Sequence, residues 1–134
     1  MFQFIKNTHS HSYYSNPFVI SLGFFIFVCG LGLSIWARMY LDKNWGMPMT
    51  LKEKPELVTT GPYAYMRHPI YLGMMIAMLG TAIVINVIWL IPFIFMSVYF
   101  VYSLKIEEHT MLEQFPKEYK EYKKHTKALI PYIY

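Results

Sequence analysis

Two short stretches hold most of the polar side chains able to do chemistry: GPYAYMRHPIYLG, residues 61–73, and the pair Glu107-Glu108. Gly61-Pro62 is a tight-turn dipeptide, Arg67-His68 places cationic and hydrogen-bonding groups just before Pro69, and Pro69 suits the first position of a helix. The spare amide donors of that helix start lie beside His68, and the positive end of the helix dipole favours a ligand carboxylate there. Glu107 and Glu108 offer acceptors for an ammonium or for ribose hydroxyls. Tyr63, Tyr65 and Tyr71 add aromatic surface. A ligand with a carboxylate, an amine, a ribose and a flat ring would meet all of these groups. Each residue also has a plainer role: Arg67 as an interfacial anchor, His68 as a helix cap, the tyrosines as an interfacial belt, the glutamates as a charged stop. What argues for a site is that complementary groups stand at facing ends of adjacent helices.

Other chemistries lack their residues. There is no G-x-G-x-x-G, G-x-x-x-x-G-K-[ST] or H-E-x-x-H pattern, so the usual dinucleotide, phosphate and zinc-protease signatures are missing. Glu107, Glu108 and His109 are adjacent, and neighbours on a helix point in different directions, so no metal site is expected. The single cysteine, Cys29, excludes a disulfide within the chain and a cysteine-cluster zinc site. No serine stands in a nucleophile-elbow context.

The elements that must position these residues are apolar. Of 134 residues, 55% are hydrophobic, 19% aromatic and only 15% charged, with a mean hydropathy of +0.29, which points to one all-α integral membrane domain rather than a soluble one. Residues 18–37 are free of charge and long enough to cross a hydrocarbon core of about 30 Å. Asn16 can cap this helix, Pro17 suits its first position, and Arg38 closes it. A cleaved signal peptide is the competing reading; the apolar region is too long for one and lacks a small-x-small site. The second uncharged run, from Pro69 to Leu104, would be roughly 54 Å long as one helix, so it must fold back. With Asn86 at the turn and Pro92 starting or kinking the return, two spans over 69–85 and 88–104 are expected.

Lysines and arginines flank the runs: Arg38, Lys43, Lys52, Lys54 and Arg67 before the hairpin, Lys105 and the lysines from Lys117 to Lys127 after it. By the positive-inside tendency both flanks are cytoplasmic. The expected architecture is therefore a three-span helical bundle with its N-terminus outside, a cytoplasmic loop over 38–68, and a cytoplasmic tail over 105–134 that continues as a helix until Pro116 interrupts it. The net charge of +4 follows this topology and forms no nucleic-acid patch. The basic run YKEYKKHTK is expected to face solvent and lipid headgroups. Gly23, Gly30 and Gly32 on the first span, with Gly73, Ala77 and Gly80 on the second, would let two backbones approach closely. Met74, Met75 and Met78 are adaptable filler that could also line a pocket for an oily ligand.

The ordered combination of GPYAYMRHPIYLG, EEHTML and FPKEYKEYKKHTKALIP resembles the isoprenylcysteine carboxyl methyltransferases and their relatives among the phospholipid N-methyltransferases, over roughly residues 55–131. The resemblance implies a membrane enzyme that moves a methyl group from S-adenosylmethionine to a lipophilic acceptor, either an isoprenoid or lipid carboxylate or a lipid amine. It implies a cofactor pocket of Pro55, Glu56, Leu57, Val58, Tyr63, His68, Pro69, Ile70, Tyr71 and Glu107. Ser103 stands where the eukaryotic carboxyl methyltransferases carry an arginine one turn before the glutamate, so a cation for a substrate carboxylate is absent there, and Phe115-Pro116 replaces the usual Phe-Gly. Ser103, Met74 and Met78 are candidates on the acceptor side. Methyl transfer from a sulfonium is an in-line displacement that chiefly needs alignment and exclusion of water. If the acceptor is an amine, Glu108 is the candidate to take its proton, and Arg67 the candidate to steer a phosphate or carboxylate headgroup. The rival reading is a non-enzymatic three-span subunit whose polar ends dock a partner or lipid headgroups.

Overall fold

The computed structural model describes residues 16–42 and 56–134, and among them all regular structure is helical. Helix α1 spans Pro17–Leu41. The Asn16 side chain accepts from the Phe18 N–H at 2.9 Å and Pro17 occupies the first turn, where its missing N–H costs nothing. The helix runs past Arg38 for another turn, and the Arg38 guanidinium donates to the Asp42 carbonyl, a favourable use of a cation at a helix C-terminus.

Helix α2 spans Pro69–Val84. It ends where expected: Ile85 closes it, the Asn86 side chain accepts from the Ile88 N–H at 2.9 Å, and a short 3₁₀ turn over Val87–Trp89 leads into helix α3, Leu90–Gln114. Pro92 falls in the first turn of α3 and does not kink it. Helix α1 and the unit formed by the 3₁₀ turn and α3 are long and apolar enough to cross a membrane, whereas α2, at 16 residues, is shorter. At 1.5 Å per residue α2 measures about 24 Å.

Helices α1 and α2 touch backbone to backbone. A Cβ on Gly30 would come within 2.4 Å of the Ala77 nitrogen, one on Gly73 within 2.3 Å of the Ser34 hydroxyl, and one on Gly80 within 2.5 Å of the Phe27 nitrogen. Ser34 donates to the Ile70 carbonyl at 3.1 Å across the same seam. Gly32 has nothing within 4 Å of its added carbon and takes no part. Away from the seam the large apolar side chains face outward, among them Phe24, Phe25 and Leu31 on α1 and Ile94, Phe95 and Val98 on α3.

The best-buried side chains gather at the polar end of the helices. Tyr63, Met66, Phe100, Leu104, Tyr119 and Leu129 are all buried there. The 3₁₀ turn Gly61–Ala64 opens on Gly61 at φ 60°, a conformation that suits glycine, and an added Cβ would also strike the Tyr40 ring at 2.6 Å. Phe115 ends α3, and Pro116 precedes a last short helix, α4, over Glu118–His125. Beyond α4 the chain pairs with the residues that precede α2. Met66 and Lys127 form a parallel bridge, and the Arg67 and His68 N–H groups donate to the carbonyls of Lys127 and Ala128 at 2.8 and 2.9 Å.

Candidate functional site

Where α1 ends, α2 begins and α3 leaves its apolar stretch, three basic side chains turn inward around Glu108. Arg67 donates from Nε to Glu108 Oε1 at 2.6 Å, His68 Nε2 lies 3.2 Å from the same oxygen, and Lys123 donates from Nζ to Oε2 at 2.9 Å. Arg67 also donates from its terminal nitrogen to the Thr126 carbonyl. The Arg67 and Glu108 side chains are only 10% and 13% exposed, so the pair works in a medium where charge attraction is stronger than in water.

His68 sits at the N-cap of α2, but its ring makes no capping bond. It stands between two carboxylates, with Nδ1 3.7 Å from Glu107 Oε2 and Nε2 on Glu108. Burial by itself would favour the neutral ring; the contacts with Glu107 and Glu108 outweigh it and raise the pKa above the ordinary 6.5. Burial would likewise raise the Glu108 carboxyl, yet hydrogen bonds from His68, Lys123 and Arg67 hold it well below the usual range. A carboxylate that holds three cations is a weak proton acceptor. Arg67, held by Glu108 and Thr126, is likewise engaged rather than presented to a headgroup. In this arrangement the two residues tie the segment before α2 to α3 and to the chain around α4.

A narrow cavity of ≈ 40 Å³ adjoins this cluster, and Glu56, Leu57, Val58, Tyr63, His68 and Glu107 contribute to its lining. Arg67 edges it as well, and the far wall comes from Met111, Phe115, Tyr119 and Tyr122. The Tyr122 hydroxyl donates to the Tyr63 carbonyl at 2.6 Å, fastening α4 to the turn before α2. Burial, reinforced by Glu107, pushes the Tyr63 hydroxyl above its ordinary pKa, so it stays a neutral donor.

The expected site residues divide into three groups. Those lining the cavity are Glu56, Leu57, Val58, Tyr63, Arg67, His68 and Glu107. Close by but outside the lining are Pro69, which is fully buried, Ile70, whose carbonyl serves the α1 seam, and Tyr71, whose ring stacks on His68 at 5.8 Å and on Phe100 at 5.0 Å. Ser103 is buried one turn before Glu107, while Met74 is 42% exposed on α2. Neither methionine 74 nor 78 lines this cavity. Pro55 lies outside the described residues. Lys123, Tyr122 and Thr126 went unrecognised in the sequence, where the run holding them looked like a solvated basic surface; the signal was Tyr119, Tyr122 and Lys123 at helical spacing.

A model of the phospholipid methyltransferase family matches residues 18–118. Protein-S-isoprenylcysteine O-methyltransferase of Saccharomyces cerevisiae is 39% identical over 79 residues, which is 58% of this chain and 33% of that protein. The enzyme of the same name from Dictyostelium discoideum is 39% identical over 80 residues, 58% of this chain and 34% of the relative. The nickel-cobalt-cadmium resistance protein NccN of Alcaligenes xylosoxydans is 27% identical over 99 residues, 72% of this chain and 42% of its own length. The chain thus spans about a third to two-fifths of the length of these relatives.

Proposed function

The chain belongs to the phospholipid methyltransferase family, and from that premise we propose that it is a membrane-embedded methyltransferase that uses S-adenosylmethionine to methylate a lipophilic acceptor. The observation that carries the reading is the convergence of Glu56, Tyr63, His68 and Glu107 on one cavity at the polar end of the apolar helices. Their chemistry fits the cofactor. Glu56 and Glu107 are acceptors for an ammonium and for ribose hydroxyls, Tyr63, Phe115 and Tyr119 offer ring surface to an adenine, and Leu57 and Val58 supply apolar contact. When bound, S-adenosylmethionine supplies a methyl group on a sulfonium.

The work of this chain's own residues is alignment and exclusion of water. Glu108, through Arg67, His68 and Lys123, fixes the segment before α2 against α3 and α4 and so sets where His68 and Glu107 stand. The ≈ 40 Å³ of the cavity is less than a nucleoside-sized ligand needs, so binding would require its walls to move apart. The acceptor would approach along the apolar helices, with its reactive group at the level of Pro69 and Glu107. Three spans, α1 and the α2–α3 hairpin, with both hairpin ends cytoplasmic and the N-terminus outside, would place the site at the cytoplasmic face.

The direct test is transfer of labelled methyl from S-adenosylmethionine by purified protein into a total lipid extract, with identification of the labelled product. Calorimetric titration with the cofactor separates binding from turnover. Glu107→Ala should weaken binding by about 1–3 kcal/mol, because it leaves a polar group of the ligand unpaired. Absence of both cofactor binding and methyl transfer would favour a non-enzymatic subunit.

A further inference from the structure

The polar end carries a second feature, away from the cavity beside Glu107. Because the bridge between Met66 and Lys127 is parallel, the chain after Lys127 runs the same way as the chain after Met66, toward Pro69 and the start of the apolar α2. Ala128 and Leu129 are buried beside that segment. The next residues then close into a tight turn: the Leu129 and Ile130 N–H groups donate to the Tyr134 carbonyl at 2.7 and 2.8 Å, and the Ile133 and Tyr134 N–H groups to the Ile130 carbonyl at 3.1 Å. The turn holds a cluster of large side chains outward, with Tyr132 90% and Ile133 74% exposed, flanked by Ile130 and Tyr134.

An apolar cluster held outward in this way marks an interaction surface, and tyrosines beside the start of an apolar helix are what a membrane–water boundary favours. Next to the tip is a cleft of ≈ 260 Å³ between Tyr65, Lys124, His125, Lys127 and Tyr132. Lys124 and His125 share the Glu121 carboxylate at 2.7 and 3.0 Å, whereas Lys127 projects from the bridge with an exposed side chain and has no carboxylate partner among the described residues. One acid thus faces two lysines and a histidine, which leaves the cleft net positive.

We propose that the Ile130–Tyr134 tip seats in the membrane boundary and that the adjoining Tyr65–Lys127–Tyr132 cleft binds the phosphate of an anionic lipid headgroup. The proposal rests on the membrane part of the reading above and is independent of methyl transfer. The tip folds back so that Tyr132 stands beside Tyr65 and Lys127; in the proposed seating the apolar residues occupy the boundary and Lys127 meets the phosphate layer.

Native mass spectrometry of the whole protein, released from nanodiscs of equal phosphatidylglycerol and phosphatidylcholine, tests the cleft. Retention of phosphatidylglycerol over phosphatidylcholine is expected, falling about fivefold in Lys127→Ala and further in Lys127→Ala with Tyr132→Ser. Both side chains are exposed, so neither change disturbs the core. Equal retention of the two lipids overturns the proposal, as does an equal loss in Lys117→Ala, which would mean diffuse attraction. Displacement of phosphatidylglycerol by millimolar inorganic phosphate also overturns it, in favour of a site for free phosphate. For the tip, a nitroxide at Tyr132→Cys in a Cys29→Ser background should collide more with oxygen than with a water-soluble nickel complex. The reverse preference places the tip in water and overturns the anchoring half.

Discussion

Glu108 owes its behaviour to a contest between burial and bonding. Desolvation disfavours its charge, but Arg67, His68 and Lys123 together reverse the balance. The sign of the pH dependence follows. His68 has a raised folded pKa, so its charged form contributes stability that is fully present below about 6.5 and is lost as pH rises through the folded value. The Glu108 carboxylate, with its depressed value, contributes stability present above its ordinary 4.5 and lost as pH falls through the folded value. The cluster is therefore strongest between about 4.5 and 6.5. Titration of the His68 imidazole by NMR should give an apparent pKa above 6.5 that drops in Glu108→Gln; a value at or below 6.5 in the parent would mean the two carboxylates do not hold the proton. The same variant leaves buried cations unpaired. Lys123 is 36% exposed and recovers water, so the destabilisation expected by thermal melting in detergent is about 2–4 kcal/mol, somewhat below that for a fully buried pair.

Among the elements, the helices themselves were legible because their signals are local. Asn16 and Pro17 mark one start, Pro69 another, and Asn86 the hairpin turn, each through bonds that span a few residues. The α1–α2 seam was legible in part, since spacing nominates glycines without saying which face meets a partner: Gly30 and Gly73 do, and Gly32 does not. That contrast is a test. Gly30→Leu, whose Cβ already collides with the α2 backbone, should lower stability by at least the 1–3 kcal/mol typical of overpacking, whereas Gly32→Leu should melt like the parent; equal effects would mean the helices do not cross there. Helix α4 was illegible as part of the site because its contacts are long-range. Lys123 to Glu108 and Tyr122 to Tyr63 depend on the chain reversing after Phe115 and then pairing with Met66, and no local pattern encodes that return.

At the scale of the whole molecule, the proposed function would have the apolar helices and the polar cluster together set where an acceptor stands. The cavity opens beside Glu107, which leaves α3 just after its apolar stretch, and beside His68, which precedes α2, so an acceptor whose tail lies among the helices would bring its headgroup to this level. Topology comes first: single cysteines near Asn86 and near Lys124, in a Cys29→Ser background, should label from opposite sides of a vesicle, and labelling from the same side would separate the hairpin turn from the arrangement proposed. The acceptor follows from the same geometry. Moving a tail from lipid to protein gains far less than the 0.8 kcal/mol or so per methylene that separates water from hydrocarbon. Its value is to concentrate the acceptor in the plane of the bilayer and to hold the headgroup in line with the methyl. A long-chain acceptor should therefore exceed its short-chain, water-soluble analogue in kcat/KM when both are compared in the same detergent. Equal kcat/KM for the two acceptors would mean that the tail is not recognised, and a soluble acceptor reaching the cavity from the aqueous side would become the better account.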